Sequence, residues 1–283
     1  MLLRDLIKYG ESTLQEAGID DYSSDTRLLA MYVFNMDYTG IMMHMYDEMS
    51  EEDSEYFKEC IEIRSTHIPC HHITGTQVFM GYSFTVDENV LIPRQETEIL
   101  VEEALKCAEG IDSCKTLDVC CGSGCIGISF SLKRKEAGYE DDQVHMVDIS
   151  KDAIMVAEEN NFKLNAGCEI NKSDLFEKVD QKYDIIISNP PYIRTSDIED
   201  LMEEVRLHEP RLALDGGEDG LYFYDRIIKE ARKFLYETGR LLFEIGYNQY
   251  EDVRRLLVDA GYTDIKLIKD YAGLDRVVTA LKG

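Results

Sequence analysis

The chain has 283 residues, 44% of them hydrophobic, with 56 acidic against 30 basic side chains and a net charge of −26. That is enough length and apolar content for one large domain plus a small one. The charge argues against a surface that grips nucleic-acid phosphates, and leaves a small-molecule enzyme or one whose macromolecular partner is basic.

No run of about 18 apolar residues is available to span a membrane. Charges interrupt the opening Met1-Leu2-Leu3-Arg4-Asp5, which lacks the apolar centre of a signal segment, so a cytoplasmic protein is expected. The eight cysteines include no Cys-x-x-Cys pair. They are expected to be reduced and structural, with no metal site.

In chain order, the first 68 residues carry helical spacing and no strand alternation. Leu2-Leu3, Leu6-Ile7 and Leu14 recur on one face, the apolar run Arg27 to Phe34 follows, and a third helix is expected from about Glu51 to Ser65. Ser50 with Asp53 predicts its N-terminal capping box. Pro69 closes this module. Val78, Phe79, Tyr82, Phe84, Val86 and Val90-Leu91-Ile92 then alternate around Gly81, which reads as a linking β-hairpin.

From Pro93 onward strands and helices alternate. Helices are predicted near 96–108, from about Ile126, and over 151–164, 220–236 and 249–260. Strands are predicted at 116–119, 144–148, 169–170, 183–188, 240–245, 264–268 and 275–281. Such alternation implies a mainly parallel sheet with helices on both faces. The expected division is 1–74 helical domain, 75–92 hairpin and 93–283 α/β domain.

Cys120-Cys121-Gly122-Ser123-Gly124 joins the first strand of that domain to a helix, where glycines allow a sharp turn and close approach of a ligand to the backbone. Asp148 closes the next strand, in position to take both hydroxyls of a ribose. Gly122-x-Gly124-x-x-Gly127 also fits the dinucleotide fingerprint, so a nicotinamide enzyme is an alternative. The spelling Asp118-Val119-Cys120-Cys121-Gly122-Ser123-Gly124 is closer to the S-adenosylmethionine loop, and Asp174-Leu175 falls where such enzymes meet adenine. The isoleucine run 185–187 ends in Asn189-Pro190-Pro191-Tyr192. The prolines stop the strand. The Asn189 amide oxygen and the Pro190 carbonyl can accept both hydrogens of a substrate NH₂, and Tyr192 offers a flat wall.

Two further stretches narrow the substrate: Ile73-Thr74-Gly75 through Leu91-Ile92-Pro93-Arg94-Gln95-Glu96-Thr97-Glu98, and Glu204-Val205 through Glu209-Pro210, Gly216-Gly217 and Asp219-Gly220-Leu221. With the helical N-terminal part, the whole chain resembles the protein-(glutamine-N5) methyltransferases that modify peptide chain release factors. The family commonly has Pro at Gln95, Tyr at His72 and an aromatic residue at Leu175; Cys120 stands at the leading glycine of the general cofactor loop.

The resemblance implies a class I S-adenosylmethionine-dependent methyltransferase: Rossmann-like, with a mostly parallel seven-stranded sheet and no metal. It implies methylation of the glutamine in the Gly-Gly-Gln loop of release factors, with no nucleic acid or membrane bound directly. Candidate cofactor residues are Asp118, Cys120, Cys121, Gly122, Ser123, Gly124, Asp148, Asp174, Leu175 and Asn189. Candidate substrate residues are Asn189, Pro190, Pro191, Tyr192 and Phe79, the last capping the approach, with Asn189 and Pro190 catalytic. Glutamine methylation of a ribosomal protein, or N-methylation of a nucleic-acid base amine, are the alternatives; the acidity counts against the second.

Overall fold

The computed structural model describes residues 1–283. By contact the chain divides into Met1–Thr76 with Met202–His208, and Gln77–Leu201 with Glu209–Gly283.

The first unit is helical: Leu3–Glu16, Tyr22–Val33, Tyr38–Met43, Glu51–Ser65, Cys70–Thr74 and the returning segment Glu203–His208. Leu3, Leu6 and Leu14 put one helical stripe into a core with Leu29, Phe57 and Ile61, all fully buried. Ser50 caps its helix as expected: the Asp53 amide donates to the Ser50 Oγ at 3.0 Å, and that hydroxyl donates to the Asp53 carboxylate at 2.7 Å. The short helices 38–43, 70–74 and 203–208 lie below the length at which hydrophobic periodicity is legible. The last is held by Glu204, whose carboxylate meets the buried Arg64 guanidinium that also binds Asp25 at 2.6 Å.

The second unit opens with a two-stranded hairpin, β1 (Thr76–Phe79) and β2 (Tyr82–Thr85). Met80 and Gly81 both have positive φ, 52° and 86°, as a tight two-residue hairpin turn needs. Residues 90–92 do not extend the hairpin; they run as a loop. The main sheet has seven strands: β3 (Lys115–Val119), β4 (Gln143–Asp148), β5 (Glu169–Lys172), β6 (Tyr183–Ser188), β7 (Leu235–Glu244), β8 (Thr263–Lys269) and β9 (Asp275–Leu281). Their order is β5-β4-β3-β6-β7-β9-β8. β3 to β7 pair in parallel, and β9 runs antiparallel to both its neighbours.

β6 shows why the middle of the sheet is continuously apolar. Ile185 and Ile187 face one side, in a cluster with Leu100, Ile126 and Ile128; Ile186 faces the other, with Tyr224, Ile227 and Val253. Each face is covered by helices, so neither can be polar.

The hairpin corrects one expectation. Phe79 is 1% exposed and packs edge-on against Phe84, ring centroids 6.1 Å apart, within the same cluster as Leu100 and Ile126. It is a core residue and does not line the cavity beside the glycine loop. Alternation correctly marks a strand but does not say which of its two faces meets the core when both carry large side chains. Phe79→Ala is therefore expected to lower unfolding free energy by about 3–5 kcal/mol in denaturant titration; a loss below about 0.5 kcal/mol, as for an exposed surface change, would place it on a rim after all.

Candidate active site

Val119 pairs with Ser188 across β3 and β6, so Cys120 and Asn189 leave the sheet side by side at its carboxyl edge. β4 and β5 lie on one side of β3, and β6 and β7 on the other. This reversal of strand order opens a crevice, the usual ligand position in an open α/β sheet. The Ser188 hydroxyl donates to the Val119 carbonyl at 2.7 Å, tying the two strand ends together.

The glycine loop builds one wall. Cys120 sits at φ +62°, a conformation that glycine adopts freely and other residues hold at a cost of about 1–3 kcal/mol. Gly124, at φ +80°, precedes the helix Cys125–Glu136; a Cβ there would lie 2.9 Å from Ile128 Cδ1 and 3.0 Å from Met146 Cε. At Gly122 a Cβ would meet nothing within 4 Å, so the loop backbone there borders open space. Asp148 braces the loop: its Oδ2 accepts from the Gly122 amide at 2.9 Å and its Oδ1 from the Ser150 amide at 2.9 Å. Each oxygen keeps a second lone pair. Burial raises the Asp148 carboxyl above its ordinary value despite these amide donors.

A cavity of about 330 Å³ lies against this loop. Among the residues singled out in the sequence, it brings together Cys120, Cys121, Gly122 and Ser123 with Asp148, Asp174, Leu175, Asn189 and Pro191. Asp174 is paired with Arg226 at 3.0 Å, and Leu175 is buried with φ +48°. Burial pushes the Cys125 thiol up to about 12 and Cys120 and Cys121 upward too, with Asp148 and Asp118 adding to the last two shifts, which disfavours the thiolate form.

Four expected site residues stand outside the cavity wall besides Phe79. Gly124 turns the loop from behind. Asp118 is fully buried beneath it, its Oδ2 accepting from the Gly127 amide at 2.9 Å while Oδ1 has no partner. Burial pushes Asp118 from its ordinary 3.8 up to about 8. Pro190 is buried, and having no N–H it can offer only its carbonyl. Tyr192 is half-buried: its hydroxyl donates to Glu244 Oε1 at 3.3 Å and its carbonyl accepts from Gln249 Nε2 at 3.0 Å.

The missing walls come from segments that sequence reasoning left without a role. Pro210, Leu212 and Ala213 line the cavity, as do Tyr222 and Phe223. Arg94, also lining, donates through Nη2 to both oxygens of Glu209 at 2.7 and 2.8 Å, and the Glu209 side chain is almost wholly buried. The glycines 216 and 220 now have a reason. A Cβ on Gly216 would lie 2.7 Å from the Tyr192 Cα and 2.9 Å from the Pro191 carbonyl oxygen; one on Gly220 would lie 2.5 Å from the Tyr192 carbonyl oxygen. The 214–220 loop presses on the backbone of the Asn-Pro-Pro-Tyr segment and pairs with it, Ile193 N–H to Leu214 O at 3.0 Å and Gly216 N–H to Ile193 O at 2.7 Å.

The chain matches the family described as "PrmC N-terminal domain" over residues 5–75 and "Methyltransferase small domain" over residues 95–218. It is 39% identical over 287 residues to a Release factor glutamine methyltransferase of Clostridium botulinum, covering 100% of both chains. Among solved structures it resembles a methyltransferase from Pyrococcus furiosus (TM-score 0.51, 16% identity, 71% of this chain and 88% of that one). It also resembles a T. thermophilus 16S rRNA methyltransferase in complex with AdoMet and guanosine (TM-score 0.51, 15% identity, 74% of this chain and 50% of that one). The sheet and its helices are thus the class I methyltransferase fold.

Gly216→Ala should speed amide exchange at Ile193 and lower stability by about 1–3 kcal/mol, because backbone rather than a mobile side chain must give way; unchanged exchange would mean that the contact is slack. Asp118 makes a pH prediction. Its folded-state pKa lies above its unfolded value, so its stabilising contribution is full below about pH 4 and is lost as pH rises through about 8. Asp118→Asn should flatten the fall in melting temperature across that window, and an unaltered slope would show that Asp118 does not titrate there.

Proposed function

The chain belongs to the family of release factor glutamine methyltransferases, and from that premise we propose that it transfers a methyl group from S-adenosylmethionine to the side-chain N5 of the glutamine in the Gly-Gly-Gln motif of peptide chain release factors. The observation that carries this reading is the placement of Asn189: on the cavity wall, at the carboxyl end of β6, beside the glycine loop and across from Asp148.

The residues present suit the cofactor. Asp148, with its carboxylate fixed by two amides and a lone pair to spare on each oxygen, would hold the ribose hydroxyls. Asp174 and Leu175 would meet the adenine edge and face, and Gly122 leaves room for the ligand to approach the backbone. The cavity's two arginines, Arg94 and Arg226, are each matched by a carboxylate, which leaves Asp148 to favour a cationic ligand. The cofactor, when bound, would supply an electrophilic methyl group on a sulfonium centre, the S–CH₃ bond breaking with its electron pair left on sulfur so that S-adenosylhomocysteine is the leaving group.

An amide nitrogen is a poor nucleophile because its lone pair is delocalised into the carbonyl. No strong base is proposed; positioning and fixed dipoles do the work. The Asn189 side-chain oxygen and the Pro190 carbonyl would accept the two N–H bonds of the glutamine amide, aim its nitrogen into the cavity and favour pyramidalisation as the C–N bond forms. The amide proton becomes acidic only as that bond forms, and Asn189 would pass it to water. Pro191 shapes the slot. The acidic chain is suited to a basic protein partner rather than to nucleic-acid phosphates.

The test is peptide mass spectrometry of a purified release factor incubated with this protein and S-adenosylmethionine. A mass gain of one methylene on the Gly-Gly-Gln glutamine is expected. Asn189→Ala should lose it about 100-fold or more in rate while keeping cofactor affinity, as for loss of an interaction made chiefly in the transition state. Methyl transfer only to a ribosomal protein or to RNA would overturn the substrate, and equal loss of cofactor binding would overturn the role of Asn189.

A further inference from the structure

Glu244 is a carboxylate in an apolar place. It ends β7 in the run Leu241-Leu242-Phe243-Glu244-Ile245, whose other members are fully buried, and is itself 2% exposed. Ser188 pairs with Phe243, so Glu244 and Asn189 are the next residues of adjacent parallel strands. Its two oxygens are engaged from opposite sides. Oε2 accepts from the Thr97 hydroxyl at 2.6 Å, and Oε1 accepts from the Tyr192 hydroxyl at 3.3 Å. Thr97 lies on the cavity wall. A few residues on, Gln249 reaches the same tyrosine from the main-chain side: its Nε2 donates to the carbonyls of Tyr192 and Gly220, at 3.0 and 3.2 Å, while its Oε1 accepts from the Gly246 amide at 2.9 Å.

We propose that Glu244 is a positioning residue for methyl transfer: through the Tyr192 hydroxyl it fixes the Asn-Pro-Pro-Tyr segment, and through Thr97 it fixes a second part of the cavity wall to the same point. The inference rests on the methyl-transfer reading above. A purely structural buried acid would need one good donor and would have no reason to join two parts of one site. Burying a carboxylate is costly unless it is hydrogen-bonded. Here the cost is met at the one strand end where rigidity has a chemical use. Two parts held by one carboxylate cannot drift independently, and a displacement of about 1 Å at a reacting group is enough to lose about 100-fold in rate. Glu244 itself does not line the cavity. Arg276, a cation whose field reaches Glu244, is itself paired with Asp270 at 3.1 Å.

The test compares Glu244→Ala, Glu244→Gln and Tyr192→Phe with the unaltered full-length protein. It reads kcat and KM for release-factor methylation, cofactor affinity by calorimetry, and amide exchange of residues 189–193. Glu244→Ala and Tyr192→Phe should each lower kcat about 10- to 100-fold with cofactor Kd and KM changed less than about threefold. Glu244→Gln should restore most of the loss, since its amide can accept from Thr97 and donate to the tyrosine oxygen. The effects of the Ala and Phe changes should fall short of additive when combined, because both act through one hydrogen bond. If Glu244→Ala does not fold, Tyr192→Phe, which keeps the ring, decides alone. Wild-type kcat in Tyr192→Phe, or kcat and cofactor affinity falling together, would overturn the proposal. Absence of methylation by the unaltered protein would overturn the functional reading instead; the bracket is then judged by exchange alone. Faster exchange at Tyr192 and Ile193 in Tyr192→Phe supports it, and unchanged exchange refutes it.

Discussion

The site depends on one strand being buried on both faces and then stopped at once. Ile185, Ile186 and Ile187 leave β6 no freedom of register, because a slip by one residue would exchange the side chains packed on the two helical layers. The fixed register sets Asn189 beside Cys120, at the edge where the strand order reverses. Pro190 and Pro191 cannot continue the ladder, so the chain leaves the sheet there in a direction set by covalent geometry. The position of the catalytic candidate is thus a consequence of hydrophobic burial several residues earlier.

Close backbone approach does the remaining placement, and it explains which glycines matter. Gly122 and Gly124 shape a wall against which a ligand can sit; Gly216 and Gly220 instead let one loop press on another. The two pairs look alike in sequence. Their difference lies in what a Cβ would strike: nothing at Gly122 and the side chains of Ile128 and Met146 at Gly124, but the main chain of Tyr192 at Gly216 and Gly220. Cys120 is the exception in the first pair's neighbourhood, holding a left-handed conformation with a side chain. Hydrogen bonds donated by the Cys121 amide to the Val147 carbonyl and by the Gly124 amide to the Cys121 carbonyl keep the loop closed around it.

The strands and longer helices of the α/β unit were legible because period and burial agree: 183–188 and 275–281 match the observed strands in full, and 151–164 matches its helix. The glycine loop, Asp148, Asp174, Leu175 and Asn189 converge on one cavity as their order along the chain implied. What could not be read was tertiary. Phe79 alternates correctly yet faces inward. Tyr192 was read from its chemistry as a ring, and nothing in the local sequence announces that its hydroxyl bonds to Glu244, 52 positions on. Arg94 and Glu209 are 115 positions apart, and no local signal announces their bond. Glu244 did carry one: an acid set between Leu241-Leu242-Phe243 and Ile245 is costly enough to demand a reason.

That reason bears on the chemistry. An amide nitrogen must be activated, under the proposed function, by neutral acceptors such as Asn189 and a proline carbonyl. Neutral acceptors contribute less than a charged base and lose value quickly when misaligned. A site of this kind gains little from another strong group near the reacting atoms and much from having its weak groups held still. The ionised and hydrogen-bonding side chains around the cavity follow that logic. Asp148 braces the glycine loop, Glu209 holds Arg94, and Glu244 with Gln249 grips Tyr192 from its side chain and its main chain. Strong interactions are spent on the scaffold, so that the weak ones at the nitrogen need no reorganisation when the bond forms.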